Sequence, residues 1–94
     1  REEMDAFSIE SLARANKAIA SGAFADEDVP VTVSTRAGDV VVEHDEAPSK
    51  GRPDKIPQLK PAFAKDGTIT AATSSSISDG AAALVLTRAS VAAE

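Results

Sequence analysis

The sequence predicts a small α/β chain, and three patterns in it point to that class. Residues 2–21 place apolar side chains at helical spacing, and residues 29–35 and 39–43 are two β-branched runs joined by a short connection. Residues 81–86 are apolar without interruption. In order, we expect a helix, a β-hairpin, a proline-rich basic loop, a short strand, a serine-rich loop, a buried strand and the start of a helix.

The predicted helix has an apolar stripe and a natural end. The stripe follows the helical period and consists of Met4, Phe7, Leu12, Ala15, Ala18 and Ile19. Gly22 follows directly, and glycine adopts the left-handed conformation that ends many helices without steric cost.

The connection within the predicted hairpin is Arg36-Ala37-Gly38, which offers a glycine for the left-handed position. Prolines and cations are then interleaved through residues 48–65. Because proline interrupts long helices and inner strands, we expect residues 48–61 to form an ordered loop with at most one short turn of helix. The local positive charge suits a phosphate group, although a solvated loop is the simpler interpretation of the charge alone.

Turn signals divide the second half of the chain. Asp66-Gly67 precedes residues 68–70, a predicted short strand, and Asp79-Gly80 precedes the apolar residues 81–86. The shortness of this apolar run and its bounding turn favour a strand buried on both faces over a helix. Ser90 is expected to cap the final helix.

Composition excludes several classes of chemistry. The 94 residues include no cysteine and one histidine, so they hold no disulfide, no thiolate metal cluster and no thiol nucleophile. A net charge of −5 and only three aromatic residues argue against nucleic-acid binding. No apolar run has the length of a membrane span and no signal segment occurs, so we expect a cytoplasmic protein that binds neither membrane nor metal.

Both ends of the sequence are abrupt. Residue 1 opens directly into the helical pattern without an initiator methionine, and residues 90–94 look like the first turn of a longer helix. We therefore expect an internal piece of a longer chain, with tag removal or processing as the milder explanation.

Two polar clusters are candidate sites. His44 lies among Glu43, Asp45 and Glu46, but consecutive residues seldom converge on one metal ion, and a surface histidine is the simpler interpretation. The hydroxyl run at residues 73–76 has neither a Gly-x-Ser-x-Gly elbow nor a base. Its apolar flanks indicate a semi-buried loop that offers hydroxyl and N–H groups to a ligand, whereas most serine-rich stretches are linkers.

Five segments match one family pattern in order. Arg1-Glu2-Glu3-Met4-Asp5-Ala6-Phe7 resembles S-R-E-x-x-D-x-F/Y-A, and residues 24–33 resemble F-x-x-E-I-V-P-V-x-V. Residues 59–63 and 66–71 resemble L-x-P-A-F and G-T-V-T-A. Residues 73–83 are the most specific and resemble N-A/S-S-x-x-N/S-D-G-A-A-A. The chain thus resembles the middle of a thiolase, an acetyl-CoA acetyltransferase or 3-ketoacyl-CoA thiolase.

This resemblance implies a thiolase-like α/β fold in the parent protein and a division of the chain. Residues 1–75 would belong to the loop domain that lines the coenzyme A tunnel, and residues 76–94 to the end of the N-terminal domain. It also implies coenzyme A-binding residues, namely Ser75 at the pantetheine arm, Ala71, Ala62 and Phe63 along the tunnel, and Arg52 at the nucleotide end. For that last role, Pro48 occupies the nearest equivalent position.

Thiolase chemistry implies a cysteine that takes the acyl group, a histidine that activates it and a second cysteine that acts as acid and base. All three would lie outside these residues, and His44 does not match the catalytic histidine. The segment would position coenzyme A thioesters, with no further cofactor. Thr73 matches a pattern seen in longer-chain degradative thiolases, whereas the proline loop resembles that of bacterial acetyl-CoA acetyltransferases. Because these two resemblances disagree, the acyl-chain length of the substrate stays open.

The leading hypothesis is part of a thiolase that forms acetoacetyl-CoA or cleaves 3-ketoacyl-CoA, completed by the rest of the chain within a homo-oligomer. The alternative is a non-catalytic binding or structural module derived from a thiolase. We expect the 94 residues alone to be inactive and to bind coenzyme A weakly or not at all, because the other tunnel walls are missing. A third expectation is that they do not fold uniquely, since lone hairpins and short helices are marginal in water.

Overall fold

The computed structural model describes residues 1–94, and its first element is the helix α1, Glu2–Ala20. Gly22 follows with a φ of 69°. The N–H groups of Gly22 and Ala23 donate to the carbonyls of Ile19 and Ala18, at 3.1 and 3.0 Å. This pair of bonds is the Schellman arrangement, which satisfies carbonyls that the helix leaves open at its end. The predicted helix and its glycine stop are confirmed.

The predicted hairpin is also confirmed, within two residues at each end. Its strands are β1, Val31–Thr35, and β2, Gly38–Val42, which pair antiparallel. Val31 pairs with Val42 and Val33 with Val40, so four valines share one face of the ribbon. Gly38 supplies the positive φ, 118°, that the tight connection requires. The ribbon packs against no helix of this chain.

The proline-rich region contains two helical turns where the sequence predicted at most one. They are the short helix α2, Glu46–Lys50, and a 3₁₀ turn, Ile56–Gln58. Pro48 is tolerated within α2 because the first turn of a helix needs no intrahelical N–H donor. Asp45 caps this helix, since its Oδ1 accepts from the Ala47 N–H at 3.3 Å.

The prediction of two strands in the second half of the chain is wrong. Residues 68–70 and 81–86 form no strand, and the side chains of Leu84, Val85 and Leu86 are almost fully exposed. A strand needs a ladder partner for its N–H and C=O groups, and the only sheet is the hairpin, which no third strand joins.

The final helix is present but begins differently from the prediction. It is α3, Ala89–Ala92, preceded by Arg88, so Ser90 lies inside the first turn and does not cap it. No helix in the structure combines the length and the apolar character that crossing a membrane requires.

The packed part of the chain lies where α1 meets α2 and the 3₁₀ turn. Only Asp5, Ile56 and Thr70 are buried. Gly51, just after α2, approaches α1 so closely that a β-carbon there would lie 2.5 Å from Leu12 Cδ2. The small core therefore fixes α1 relative to the proline-rich region, and these two parts flank the groove described next.

Candidate functional site

An open groove of about 710 Å³ runs between α1, the start of α2 and the serine-rich loop. Residues on its walls include Met4, Phe7, Leu12, Pro48, Thr73 and Ser75. The helical side supplies apolar side chains together with Glu3, Ser8 and Ser11, and the loop supplies hydroxyls. A cleft that combines apolar side chains with a few polar groups is the usual form of a small-molecule site.

The serine-rich loop is held by a compact turn around Thr70. The Thr70 carbonyl accepts from the hydroxyls of Ser74 and Thr73, at 2.8 and 3.3 Å, and from the Thr73 N–H at 3.2 Å. The Thr73 hydroxyl also accepts from the Thr70 N–H at 3.0 Å. Thr73 and Ser74 thus use their hydroxyls to shape the turn, and Ser75 follows them on the groove wall.

Thr70 itself is fully buried, at 0% exposure, and its Oγ1 has no hydrogen-bond partner. A buried hydroxyl without a partner loses its interactions with water and gains nothing in return. Burial of this hydroxyl therefore destabilises the folded chain locally, beside the groove.

Of the five residues expected to bind coenzyme A, the structure places Ser75 in the groove and the other four outside it. The Ala62 N–H donates to the carbonyl of Ile69, two residues before Ala71, at 2.8 Å. Phe63 is 85% exposed. Arg52 is exposed, with its Nε 3.8 Å from Asp54 Oδ1.

Sequence reasoning missed the helical wall of the groove. Met4 and Phe7 belong to the apolar stripe of α1, and a stripe of this kind usually marks a face that packs against other elements. Here Phe7 is 77% exposed and lines the open groove. The signal was the periodicity itself, which does not reveal whether protein or ligand covers the stripe. Pro48 also lines the groove, whereas Arg52, the cation assigned near it, does not.

The acidic cluster around His44 is a surface feature. The imidazole is 85% exposed, and its Nε2 lies 3.6 Å from Glu43 Oε1. Asp45 uses its carboxylate to cap α2, and no group of three or more His, Cys, Asp or Glu side chains gathers in the structure.

Comparison with known proteins places the chain in one family. The family description "Thiolase, N-terminal domain" matches residues 1–90. The chain belongs to the thiolase family. The match crosses residue 75 without a break, so the division into a loop domain and a following segment stays a prediction.

Individual relatives agree with this assignment. The chain is 49% identical to an acetyl-CoA acetyltransferase of Yarrowia lipolytica, over 92% of this chain and 22% of that protein. It is 48% identical to a β-ketoadipyl-CoA thiolase of Pseudomonas aeruginosa, again over 92% of this chain and 22% of that one. The structure superimposes on human mitochondrial 3-ketoacyl-CoA thiolase with a TM-score of 0.62 and 34% identity, covering 74% of this chain and 18% of that one. The chain thus spans about a fifth of the length of the relatives it matches.

Proposed function

We propose that this chain forms part of the coenzyme A thioester site of a thiolase. The parent protein transfers acetyl or acyl groups between coenzyme A thioesters, either forming acetoacetyl-CoA or cleaving a 3-ketoacyl-CoA. The observation that supports this most strongly is Ser75, which family resemblance assigns to the pantetheine arm and which lines the groove together with apolar side chains of α1. Pantetheine has the same mixed character, with methylene groups between its two amides and a dimethyl carbon beyond the second amide.

The chemistry of the reaction belongs to residues beyond these 94. The chain contains no cysteine, and its one histidine points to the surface beside Glu43. We therefore assign the acyl-accepting cysteine, the activating histidine and the second cysteine to the rest of the thiolase chain, in a homo-oligomer. Coenzyme A thioesters are its substrates, and it uses no further cofactor.

The nucleotide end of coenzyme A is assigned to the basic loop. No cation lines the groove, whereas Lys50 and Arg52 lie just beyond Pro48. Each is near a carboxylate, Lys50 with Glu46 at 3.0 Å and Arg52 with Asp54 at 3.8 Å. These pairs are exposed and weak, so a phosphate can compete for either cation.

Steady-state thiolysis of acetoacetyl-CoA by the full-length protein tests the proposal. Replacing Ser75 by alanine removes one hydrogen bond to the substrate, and we expect the KM for the coenzyme A thioester to rise about fivefold. Ser78→Ala is the matched control, since Ser78 lies in the same stretch outside the groove and bonds Ser76. Absence of thiolysis by the unmodified protein would contradict the function, and equal KM values for the two variants would contradict the site. Saturable coenzyme A binding without turnover would support the non-catalytic alternative.

We also propose a cellular location for the protein. We assign the protein to the cytoplasm, although relatives in Gibberella zeae and Aspergillus fumigatus are described as mitochondrial. Fluorescence microscopy or cell fractionation of the full-length protein distinguishes the two compartments.

A further inference from the structure

A buried carboxylate lies near the N-terminal end of α1. Asp5 is 5% exposed and is one of the three buried residues of the chain. Both of its oxygens accept from Arg1 Nε, at 2.8 and 3.0 Å. An unpaired carboxylate is costly to bury, so Arg1 is the partner that allows Asp5 to occupy this position.

The same guanidinium reaches a distant part of the chain. Arg1 Nη2 donates to the Leu59 carbonyl at 2.8 Å and to the Ile56 carbonyl at 3.3 Å. A planar guanidinium has enough donors to bond a carboxylate and backbone carbonyls at once, whereas a lysine ammonium is a compact point charge that lacks this fork geometry. Arg1 therefore joins α1 to the 3₁₀ turn and the residue that follows it.

These two joined parts lead to opposite walls of the groove. On one side, α1 continues from Asp5 to Phe7, which lines the groove. On the other, the chain continues from Leu59 to Ala62, whose bond to the Ile69 carbonyl ties it to the Thr70 turn and hence to Ser75. A shift of the segment after the 3₁₀ turn would thus change the separation of the walls.

We propose that Arg1 and Asp5 are positioning residues that set the width of the coenzyme A groove. The inference rests on the proposed function, because it assigns the effect of the pair to thioester binding. Neither residue lines the groove, so they act through the walls that they hold. Because the reacting groups are assigned to other parts of the protein, loss of the pair weakens binding of substrate and transition state alike.

Arg1→Met and Arg1→Lys in the full-length enzyme test this inference by steady-state kinetics. We expect both to raise the KM for the coenzyme A thioester about tenfold while kcat stays within about twofold, since a small displacement of binding walls removes uniform binding. Arg14→Met is the matched control. Arg14 pairs with Glu10 on the same helix at the same spacing, at 2.7 Å, but both side chains are mostly exposed. We expect its KM to equal that of the unmodified enzyme.

A double variant, Arg1→Met with Asp5→Leu, separates positioning from loss of stability. Arg1→Met alone leaves the buried Asp5 carboxylate unpaired, which lowers the stability of the fold, whereas the double variant leaves no buried unpaired charge. A KM that stays raised in the double variant supports the inference. A return to the unmodified KM in the double variant, full rescue by Arg1→Lys, or a fall in kcat without a change in KM would overturn it.

Hydrogen exchange gives a readout that does not need turnover. In Arg1→Met we expect the Ala62 amide, bonded to Ile69, to exchange about tenfold faster than in the unmodified protein. Unchanged exchange there overturns the inference. If the unmodified protein is inactive and does not bind coenzyme A, the proposed function is contradicted. The assignment of the Arg1–Asp5 pair to thioester binding then fails with it.

Discussion

The hydroxyl of Thr70 is a residue-scale conflict between burial and hydrogen bonding. Its methyl group belongs in a buried position, but Oγ1 has no partner there. The neighbouring Thr73 shows the opposite arrangement, because its hydroxyl both accepts from the Thr70 N–H and donates to the Thr70 carbonyl. We therefore expect the same substitution at these two threonines, three residues apart, to change the free energy of unfolding in opposite directions.

We expect Thr70→Val to raise the free energy of unfolding of the full-length protein by about 1 kcal/mol, since it removes an unsatisfied buried hydroxyl at nearly constant shape. Thr73→Val is the control and should lower it by about 1 kcal/mol, because two hydrogen bonds of the turn are lost. Urea denaturation measures both values. A destabilised Thr70→Val would mean that the hydroxyl finds a partner elsewhere in the full-length protein.

At the scale of elements, Gly51 controls how closely α2 approaches α1. A β-carbon at this position would lie 2.5 and 2.6 Å from the two terminal carbons of Leu12. Leu12 also lines the groove, so its displacement changes both packing and the site. We expect Gly51→Ala to destabilise the full-length protein by about 1 kcal/mol through overpacking, a small cost because the ends of the Leu12 side chain can shift into the open groove.

A further variant makes this expectation specific. In a double-mutant cycle, Leu12→Ala should relieve the clash, so Gly51→Ala should cost less in that background. An equal cost in both backgrounds would show that the two residues are not in contact.

The elements that could be predicted from sequence are those that local interactions determine. The α1 stripe, its stop at Gly22 and the hairpin around Gly38 each depend on residues within a few positions, and the structure confirms all three. Residues 81–86 are different, because a buried strand is defined by partners far away in sequence. The apolar run predicted the burial of that segment, and nothing within this chain supplies it.

The candidate site shows the same division. Ser75 could be predicted from the motif around residues 73–83, because family resemblance carries the role of single positions. Met4 and Phe7 could not, since their spacing indicates a helical face without naming what covers it. Arg1 and Asp5 lie in a recognisable motif, but the contact of Arg1 with the Leu59 carbonyl crosses 58 positions of sequence, and only the folded chain shows it.

At the scale of the whole molecule, the chain exposes far more surface than a compact protein of its size. It exposes 8549 Å² to solvent, whereas a compact monomer of 9.6 kDa exposes about 5,100 Å². Its radius of gyration is 18.1 Å, compared with about 12 Å for a compact domain of this length. The valine face of the hairpin and the apolar residues 84–86 are part of this excess.

We therefore expect the isolated 94-residue chain to show no cooperative thermal unfolding transition, because burial of three residues does not offset the entropy of ordering the whole chain. Differential scanning calorimetry and amide spectra measure this, with the full-length protein as the control that melts cooperatively. Far-ultraviolet circular dichroism should still detect part of α1, since its amphipathic 19 residues exceed the length at which helices begin to persist alone. Coenzyme A should not restore a transition to the isolated chain, because the open groove supplies few of the contacts that a closed tunnel provides. A sharp calorimetric transition with dispersed amide resonances would contradict this expectation and would show that these residues form an independent domain.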